Sequence, residues 1–253
     1  MNNIKTFENF NSKDIFTYIK NNDIKSIKNY INSGVDLNIQ RLSGYTPLIV
    51  ASKNNKIEIV KLLLNAGADT DKQNNGGNTA LIYASNNVEI IKLLLDAGAD
   101  IDKQNNIGDT ALIYAALKNN IEIVKLLLNA GADVNKQNIS GNTALILAAS
   151  NNRIEIVKLL LNAGADIDKQ NNSGYTALIS AAFNNNREMI ELLLDYAADE
   201  FILNDRDKSF YDYLDDDNKQ YFLHKYPTSV YNAMSHWYKK SFTEFVKDHN
   251  IKK

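Results

Sequence analysis

The feature that most constrains this chain is a short motif that returns five times at nearly constant spacing. The motif reads Gly-x-Thr-Pro/Ala-Leu-Ile, at intervals of 33, 31, 33 and 33 residues, and its copies begin at Gly44, Gly77, Gly108, Gly141 and Gly174. A second string, Leu-Leu-Leu-x-Ala-Gly-Ala-Asp, recurs in step and ends at Asp69, Asp100, Asp133 and Asp166. A fixed period of this length indicates a repeat architecture, in which each unit buries its apolar surface against its neighbours.

The sequence of each unit predicts two helices joined by a tight turn. Thr143 is a suitable N-cap for a first helix, because its hydroxyl can accept a hydrogen bond from an exposed backbone N–H. Asn151 and Asn152 then predict a turn, since asparagine tolerates the left-handed conformation. The second helix ends at Gly164, which adopts that conformation at low cost. Its predicted apolar face consists of Ile154, Val157, Leu160 and Leu161.

These motifs resemble the ankyrin repeat, whose period is 33 and whose signature is Thr-Pro-Leu-His-x-Ala, over residues 12–206. One departure is consistent, because the signature histidine is replaced by Ile49, Ile82, Ile113, Ile146 and Ile179. The resemblance implies an all-α solenoid of about six stacked helix-turn-helix units with short hairpin-like loops. In the family that histidine bonds neighbouring repeats, so apolar packing must replace those bonds here.

The predicted organisation follows the motif spacing. Residues 1–43 form a degenerate N-terminal capping repeat, followed by repeats at 44–76, 77–107 (two residues short, with the gap after Ser85), 108–140, 141–173 and 174–206, and by a helical C-terminal extension at 207–253. In the last repeat Ala197 replaces the glycine that ends the second helix, so we expect that helix to end in a different way. In the extension, helices are predicted near 210–214, 218–225 and 230–247.

Composition and motif searches exclude several classes of function. A net charge of −2 gives no basic footprint for nucleic acid, and the absence of cysteine excludes disulfides and cysteine-containing zinc sites. The N-terminus has no apolar stretch of the secretory type, and no run is long enough to span a membrane. These features favour an intracellular, cytoplasmic and monomeric protein.

No converging set of catalytic groups is visible either. The histidines His224, His236 and His249 are too far apart to share one helix face. No glycine-rich phosphate loop is present. The acidic run at 215–217 is interpreted as a helix start, and Asp166 and Asp168 are interpreted as backbone-bonding turn residues. We therefore expect no enzyme activity, no cofactor and no metal.

The ankyrin resemblance implies a partner-binding surface made of hairpin turns and first helices, on the concave side. The turn positions are Gln73, Asn75, Asn78, Gln104, Ile107, Asp109, Gln137, Ile139, Asn142, Gln170, Ser173 and Tyr175. The variable first-helix positions are Lys53, Leu117, Lys118, Ser150 and Phe183. An aromatic ridge is predicted from Tyr45, Tyr83 and Tyr114, and the alternative is that Tyr83 and Tyr114 are partly buried residues of the repeat stack. Leu117, Ile139 and Phe183 are the strongest candidates, because an apolar residue at an exposed variable position has no core role.

The predicted function is that of a non-enzymatic scaffold or adaptor for a partner protein. Similar Asn-, Ile- and Lys-rich ankyrin proteins are encoded by large DNA viruses and host-associated bacteria, which favours a host protein as partner. One alternative is a substrate adaptor whose C-terminal segment recruits a ubiquitin ligase. Another is a dispensable member of an expanded gene family with no fixed partner.

Overall fold

The structure is a computed structural model that describes residues 14–84 and 86–226. Within these residues the chain is entirely helical, with thirteen α-helices, two short 3₁₀ helices and no strand. The first helices of the successive units are α1 (Ile15–Asn21), α3 (Pro47–Lys53), α5 (Ala80–Tyr83), α7 (Ala111–Leu117), α9 (Ala144–Ser150) and α11 (Ala177–Phe183). The second helices are α2 (Ile24–Asn32), α4 (Ile57–Asn65), α6 (Val88–Asp96), α8 (Ile121–Asn129), α10 (Ile154–Asn162) and α12 (Arg187–Asp195). A 3₁₀ helix at Leu42–Gly44 precedes α3, and a 3₁₀ helix at Tyr211–Tyr213 precedes α13 (Asp216–Lys225).

The described chain divides into two compact units. Unit 1 contains residues 14–114 and 129–132, and unit 2 contains residues 115–128 and 133–226. In unit 1, α3 packs against α1 and α5, while α4 packs against α2 and α6. In unit 2, α11 packs against α9 and against the 3₁₀ helix that precedes α13. Like helices therefore stack on like helices inside each unit. No helix in the described ranges is long and apolar enough to cross a membrane.

The first helices after α1 begin at a buried threonine, as predicted for Thr143. The hydroxyl of each threonine accepts a hydrogen bond from the backbone N–H of the isoleucine three residues later, at 3.2–3.4 Å, in Thr46, Thr79, Thr110, Thr143 and Thr176. Those isoleucines occupy the signature histidine position, and all are buried. Apolar packing thus fills the position that the resemblance assigns to a hydrogen-bonding ring.

The turns between first and second helices use asparagine in the left-handed region. Asn55, Asn119, Asn152 and Asn185 all have φ between 52° and 57°. The two-residue-short repeat differs in its first helix, because α5 has only four residues. Its second helix, α6, is capped by the Asn87 side chain, which accepts from the Ile90 N–H at 3.1 Å, just as Asn120 caps α8.

The buried face of the second helices differs from the predicted apolar face. In α10 the buried residues are Ile156, Val157 and Leu160, whereas the predicted Ile154 and Leu161 are only half-buried. The prediction missed Ile156 because every position from Leu159 to Leu161 is leucine, so the apolar pattern alone does not place the centre of the stripe.

The expectation that α12 ends in a different way was wrong. Ala197 has φ 62°, in the same left-handed region as Gly164 at 85°. The Ala197 and Ala198 N–H groups donate to Leu194 and Leu193, as Gly164 and Ala165 donate in the preceding repeat. The two backbone bonds offset the steric cost of the alanine Cβ, which is about 1–2 kcal/mol.

Residues 204–226 repeat the local pattern of the earlier units although the motif is absent from their sequence. The Asn204 N–H donates to Lys208 O and the Asp207 N–H donates to Asn204 O, as Asn171 and Gly174 do one repeat earlier. Asp207 takes the place of Gly174 with φ 55°, and Phe210 is buried. The predicted boundary at 207 therefore lies inside a turn of the repeat type. As predicted, the acidic run starts a helix, because Asp215 caps α13 by accepting from the Asn218 N–H at 2.8 Å.

An ionic and aromatic network joins α13 to α12. Glu191 accepts hydrogen bonds from the Tyr221 hydroxyl and the Lys225 ammonium. Arg187 lies over the Tyr221 ring, 4.4 Å from its centroid. Burial tends to raise the pKa of Glu191, but the hydrogen bonds from Lys225 and Tyr221 outweigh it, and the pKa is lowered. The predicted helix at 230–247, which includes His236, lies outside the described residues, and so does His249. His224 is described and is exposed.

Replacing Ala197 with glycine should stabilise the protein by about 1 kcal/mol, because glycine removes the steric cost of the left-handed conformation. Urea denaturation followed by circular dichroism measures the change. Ala163→Gly is the matched control, since Ala163 has φ −86° and glycine there should destabilise by about 0.5–1 kcal/mol. Equal effects of the two substitutions would contradict the left-handed end of α12.

Replacing Glu191 with glutamine should destabilise the protein at pH 7 by about 1 kcal/mol, because two hydrogen bonds to a charged acceptor are weakened. Since the folded pKa is lowered, the contribution of Glu191 is present above the unfolded glutamate pKa and is lost as pH falls through the folded value. The difference in unfolding free energy between wild type and variant should therefore shrink between pH 7 and pH 3. Glu188→Gln, an exposed position on the same helix, should show no such difference.

Candidate partner-binding surface

Each hairpin turn runs from a glutamine to the glycine four residues later, and the side chain of that glutamine holds the turn by hydrogen bonds. In Gln40, Gln73, Gln137 and Gln170, the side-chain amide donates both to the carbonyl of that glycine and to a carbonyl of the next turn. Gln170, for example, donates to Gly174 at 2.7 Å and to Leu203 at 2.9 Å. Gln104 donates to Gly108 at 2.7 Å. The predicted glutamine positions therefore serve repeat stacking.

Asparagine side chains add a second set of bonds between turns. Asn105 Nδ2 donates to Asn78 Oδ1 at 2.9 Å in unit 1, and Asn171 Nδ2 donates to Asn142 Oδ1 at 2.8 Å in unit 2. The turns also approach each other closely: a Cβ built on Gly141, which has φ 74°, would lie 2.6 Å from the Asn172 backbone nitrogen. Asn78 and Asn142 are thus occupied by the neighbouring repeat.

Acidic and amide side chains after the second helices form a third set. Asp168 accepts from the Asp199 N–H at 2.8 Å, and Asn38, Asp71 and Asn135 accept in the same way from Asp69, Asp100 and Asp166. The backbone-bonding role predicted for Asp166 and Asp168 is confirmed. In the last copy, Phe201 and Leu203 stand at the aspartate and glutamine positions and are 59% and 44% exposed.

The structure separates the remaining predicted positions by exposure. Asp109 is 4% exposed, so its burial removes it from a partner-facing set, contrary to its prediction as a turn position. Tyr83, Tyr114 and Leu117 are half-buried, so Leu117 is less accessible than predicted. Ser150 is half-buried. The exposed residues among the predicted positions are Lys53, Asn75, Ile107, Lys118, Ile139, Gln170, Ser173 and Phe183.

Exposed apolar residues mark two of the turns and one first helix. Ile139 is 66% exposed and Phe183 is 56% exposed, both in unit 2, while Ile107 is 52% exposed in unit 1. The sequence analysis missed Leu42, which is 96% exposed. Its signal was available, because Leu42 stands two residues before Gly44 just as Ile139 stands two residues before Gly141.

Phe183 belongs to an aromatic cluster with Tyr175 and Tyr213 in unit 2. The Phe183 ring lies 6.1 Å from Tyr175 and 5.5 Å from Tyr213, in edge-to-face contacts. The two tyrosine hydroxyls are 3.0 Å apart, and burial together with this hydrogen bond raises the pKa of Tyr175. Next to the cluster, Asn184 Nδ2 donates to Ser150 Oγ at 3.2 Å. Phe183 and Tyr175 are therefore in direct contact, Tyr213 is an additional member of the cluster, and Ser150 is linked to the residue after Phe183.

Unit 1 contains an equivalent tyrosine pair. The Tyr45 and Tyr83 hydroxyls are 2.8 Å apart, and their ring centroids are 5.7 Å apart. Lys53, which aligns with Phe183, places its ammonium 5.0 Å and 5.2 Å from the two ring centroids. Two of the three residues of the predicted aromatic ridge, Tyr45 and Tyr83, thus form a hydrogen-bonded pair with a cation above it.

Comparison with known proteins assigns these repeats. A family model described as "Ankyrin repeats (3 copies)" matches residues 15–105, 86–138 and 112–205, most of the chain. The chain belongs to the ankyrin-repeat family. No curated protein matches it.

Solved ankyrin-repeat domains share its architecture. The ankyrin repeat domain of Bcl-3, described as a unique member of the IkappaB protein family, is 28% identical, with a TM-score of 0.76 over 84% of this chain and 98% of that one. The human ASB11 ankyrin repeat domain is 25% identical, with a TM-score of 0.72 over 83% and 96% of the two chains. Ankyrin repeats are in general protein-interaction modules, and the fold is typically a non-enzymatic scaffold. No group of three or more potential metal-ligating side chains occurs in the described part of this ankyrin protein.

Replacing Gln170 with alanine should lower the unfolding free energy by about 1–2 kcal/mol, because one hydrogen bond within its turn and one to the next turn are lost. Ser173→Ala, in the same turn but with an exposed side chain, should change it by less than about 0.5 kcal/mol. Urea denaturation of both variants tests the assignment. If Gln170→Ala is as stable as wild type, Gln170 has no role in stacking and returns to the partner-facing set.

Proposed function

We propose that this ankyrin-repeat chain binds a partner protein through the exposed surface of unit 2 that contains Ile139 and Phe183. The observation that carries the proposal is the exposure of these two apolar side chains at positions where other repeats have polar residues such as Asn172 and Ser150. Burial of a large apolar side chain contributes about 1.5–3 kcal/mol, so both residues can anchor a partner.

The surroundings of Phe183 favour a preorganised anchor. Its ring is fixed by two tyrosine rings, and the Tyr175–Tyr213 hydrogen bond fixes those rings in turn. A side chain already fixed in the free protein loses little rotamer freedom on binding, so more of its burial appears as affinity. Leu117, half-buried, and Lys118, exposed, supply further variable first-helix positions in unit 2.

Hydrogen bonds between side chains and turns in unit 2 also suit this role. The turn side chains Gln137, Asn142 and Gln170 are engaged by backbone or by neighbouring turns, so they hold the exposed residues in place. Binding as an adaptor, in the cytoplasm and as a monomer, remains part of the proposal. The ubiquitin-ligase alternative requires the C-terminal segment, whose residues 227–253 lie outside the described ranges, and no observation favours it.

The proposal predicts that Leu117/Ile139/Phe183→Ser loses the partner while the fold persists. Three full-length baits, wild type, this variant and Tyr196/Phe201→Ser, are used to capture proteins from cell lysate, which are quantified by mass spectrometry. Tyr196 and Phe201 are 40% and 59% exposed, so the third bait removes comparable exposed apolar surface elsewhere in unit 2. We expect a protein captured by the first and third baits to fall at least about tenfold with the second.

Circular dichroism of the three baits controls for folding. Undiminished capture by Leu117/Ile139/Phe183→Ser would refute this surface. Equal loss with Tyr196/Phe201→Ser would show that capture follows general hydrophobicity and would also count against the proposal.

A further inference from the structure

The hydrogen bonds around the Tyr45–Tyr83 pair have a defined direction that starts at Asn74. The Asn74 Oδ1 accepts from the backbone N–H groups of Gly76 and Asn78, both at 3.0 Å, which fixes the orientation of the amide. Its Nδ2 therefore faces Tyr83 as a donor, 3.0 Å from the hydroxyl oxygen.

Lys53 determines the direction of the hydrogen bond between the Tyr45 and Tyr83 hydroxyls. Its ammonium is 3.4 Å from the Tyr45 hydroxyl oxygen and lies over both tyrosine rings. A positive charge beside this oxygen favours Tyr45 as the acceptor, so Tyr83 donates to Tyr45. That hydrogen bond lowers the pKa of Tyr45 against the effect of burial, and Lys53 lowers it further. Burial and donation to Tyr45 raise the pKa of Tyr83.

The result is two neighbouring donors, the Tyr45 hydroxyl and the Lys53 ammonium. The Tyr45 oxygen accepts from Tyr83 and Lys53, and no described residue accepts its own proton. Among residues 14–84 and 86–226, no carboxylate oxygen lies within 4.0 Å of the Lys53 ammonium, whereas Lys61 and Lys225 each pair with a glutamate. Lys53 is exposed, yet the two rings hold its ammonium in place by cation–π attraction.

We propose that Tyr45 and Lys53 together bind the carboxylate of an aspartate or glutamate side chain of the partner protein. Their donor atoms are 3.4 Å apart, so one carboxylate oxygen can accept from both at ordinary charge-assisted lengths of about 2.7–2.9 Å. The site rests on the proposed function for the source of its ligand, but it lies in unit 1 and shares no residue with the Ile139–Phe183 surface.

The same chain provides an internal comparison. Tyr175, Tyr213 and Asn204 reproduce the positions of Tyr45, Tyr83 and Asn74, with Asn204 Nδ2 donating to Tyr213 at 2.6 Å. In that copy Phe183 stands in place of Lys53, and the pKa of Tyr175 is raised. The ammonium is thus the part that converts a tyrosine pair into a carboxylate site, and Phe183→Lys should create a second one.

The test is an NMR titration of the full chain with two capped peptides, Gly-Ser-Glu-Ser-Gly and Gly-Ser-Gln-Ser-Gly, at constant ionic strength. The first should give saturating shifts of the Tyr45 backbone amide and the Lys53 side-chain signals, with a Kd in the millimolar range, and the second should give none. Lys53→Met should weaken the glutamate peptide about tenfold, and Tyr45→Phe about fivefold, because each removes one donor to a charged acceptor. Lys92→Met, at an exposed lysine on α6, should leave the Kd unchanged.

The proposal is tested both by a variant that should remove the site and by one that should create a second site. Equal binding of the two peptides, or an unchanged Kd in Lys53→Met, would refute carboxylate recognition. The variant Phe183→Lys should add saturating shifts at Tyr175, and their absence would count against the mechanism. A phosphoserine peptide that binds more than tenfold tighter than the glutamate peptide would overturn the assignment in favour of a phosphate group. Because the probes are defined peptides, failure here is separate from failure of the lysate capture.

Discussion

The structure depends on one recurring interaction, the donation of a glutamine side-chain amide to two backbone carbonyls at once. One carbonyl belongs to the glycine of the same turn and the other to the next turn, as Gln73 and Gln170 show in the two units. Each bond contributes only about 0.5–1.5 kcal/mol, but it satisfies polar backbone that the tight turns would otherwise leave without a partner. The bond also fixes the spacing of successive turns, so the helices they precede are stacked in register. Apolar contacts between like helices supply most of the stability, and the amides determine where those contacts form.

Most of the fold could be predicted because its determinants are local and repeated. The threonine caps, the asparagine turns and the glycine ends of the second helices each follow from one residue type in one conformation. The predictions failed where the chain departs from this pattern of threonine, asparagine and glycine positions. Ala197 keeps the left-handed conformation because the neighbouring backbone bonds offset the strain, which no local rule reveals. Residues 204–226 continue the pattern with Asp207 and Phe210 at positions of glycine and alanine, so the motif search ended one turn too early.

The candidate site was less predictable, because sequence position does not distinguish a side chain that faces a partner from one that faces the next repeat. Gln137, Asn142 and Asp109 align with surface turns, yet the first two bond to neighbouring turns and the third is buried. Apolar residues gave a clearer signal, since Ile139 and Phe183 had no core role and are exposed. The pairing of Tyr45 with Tyr83 involves residues 38 apart, and the same separation links Tyr175 to Tyr213. Only the three-dimensional comparison of the two tyrosine pairs shows that they are one motif, whose third residue is Lys53 in unit 1 and Phe183 in unit 2.

Phe201 and Leu203 have a consequence for how such a chain can change in length. They occupy the positions from which Asp168 and Gln170 reach forward, and neither side chain can accept or donate in their place. A unit duplicated from the interior of the array would contain both the aspartate or asparagine and the glutamine. Its neighbours would supply the backbone N–H and carbonyl groups that these side chains bind. A unit appended after α13 would meet a phenylalanine and a leucine where the earlier turns have an aspartate or asparagine and a glutamine. The turn after α12 therefore lacks the two side chains through which the earlier turns bind the turn that follows them.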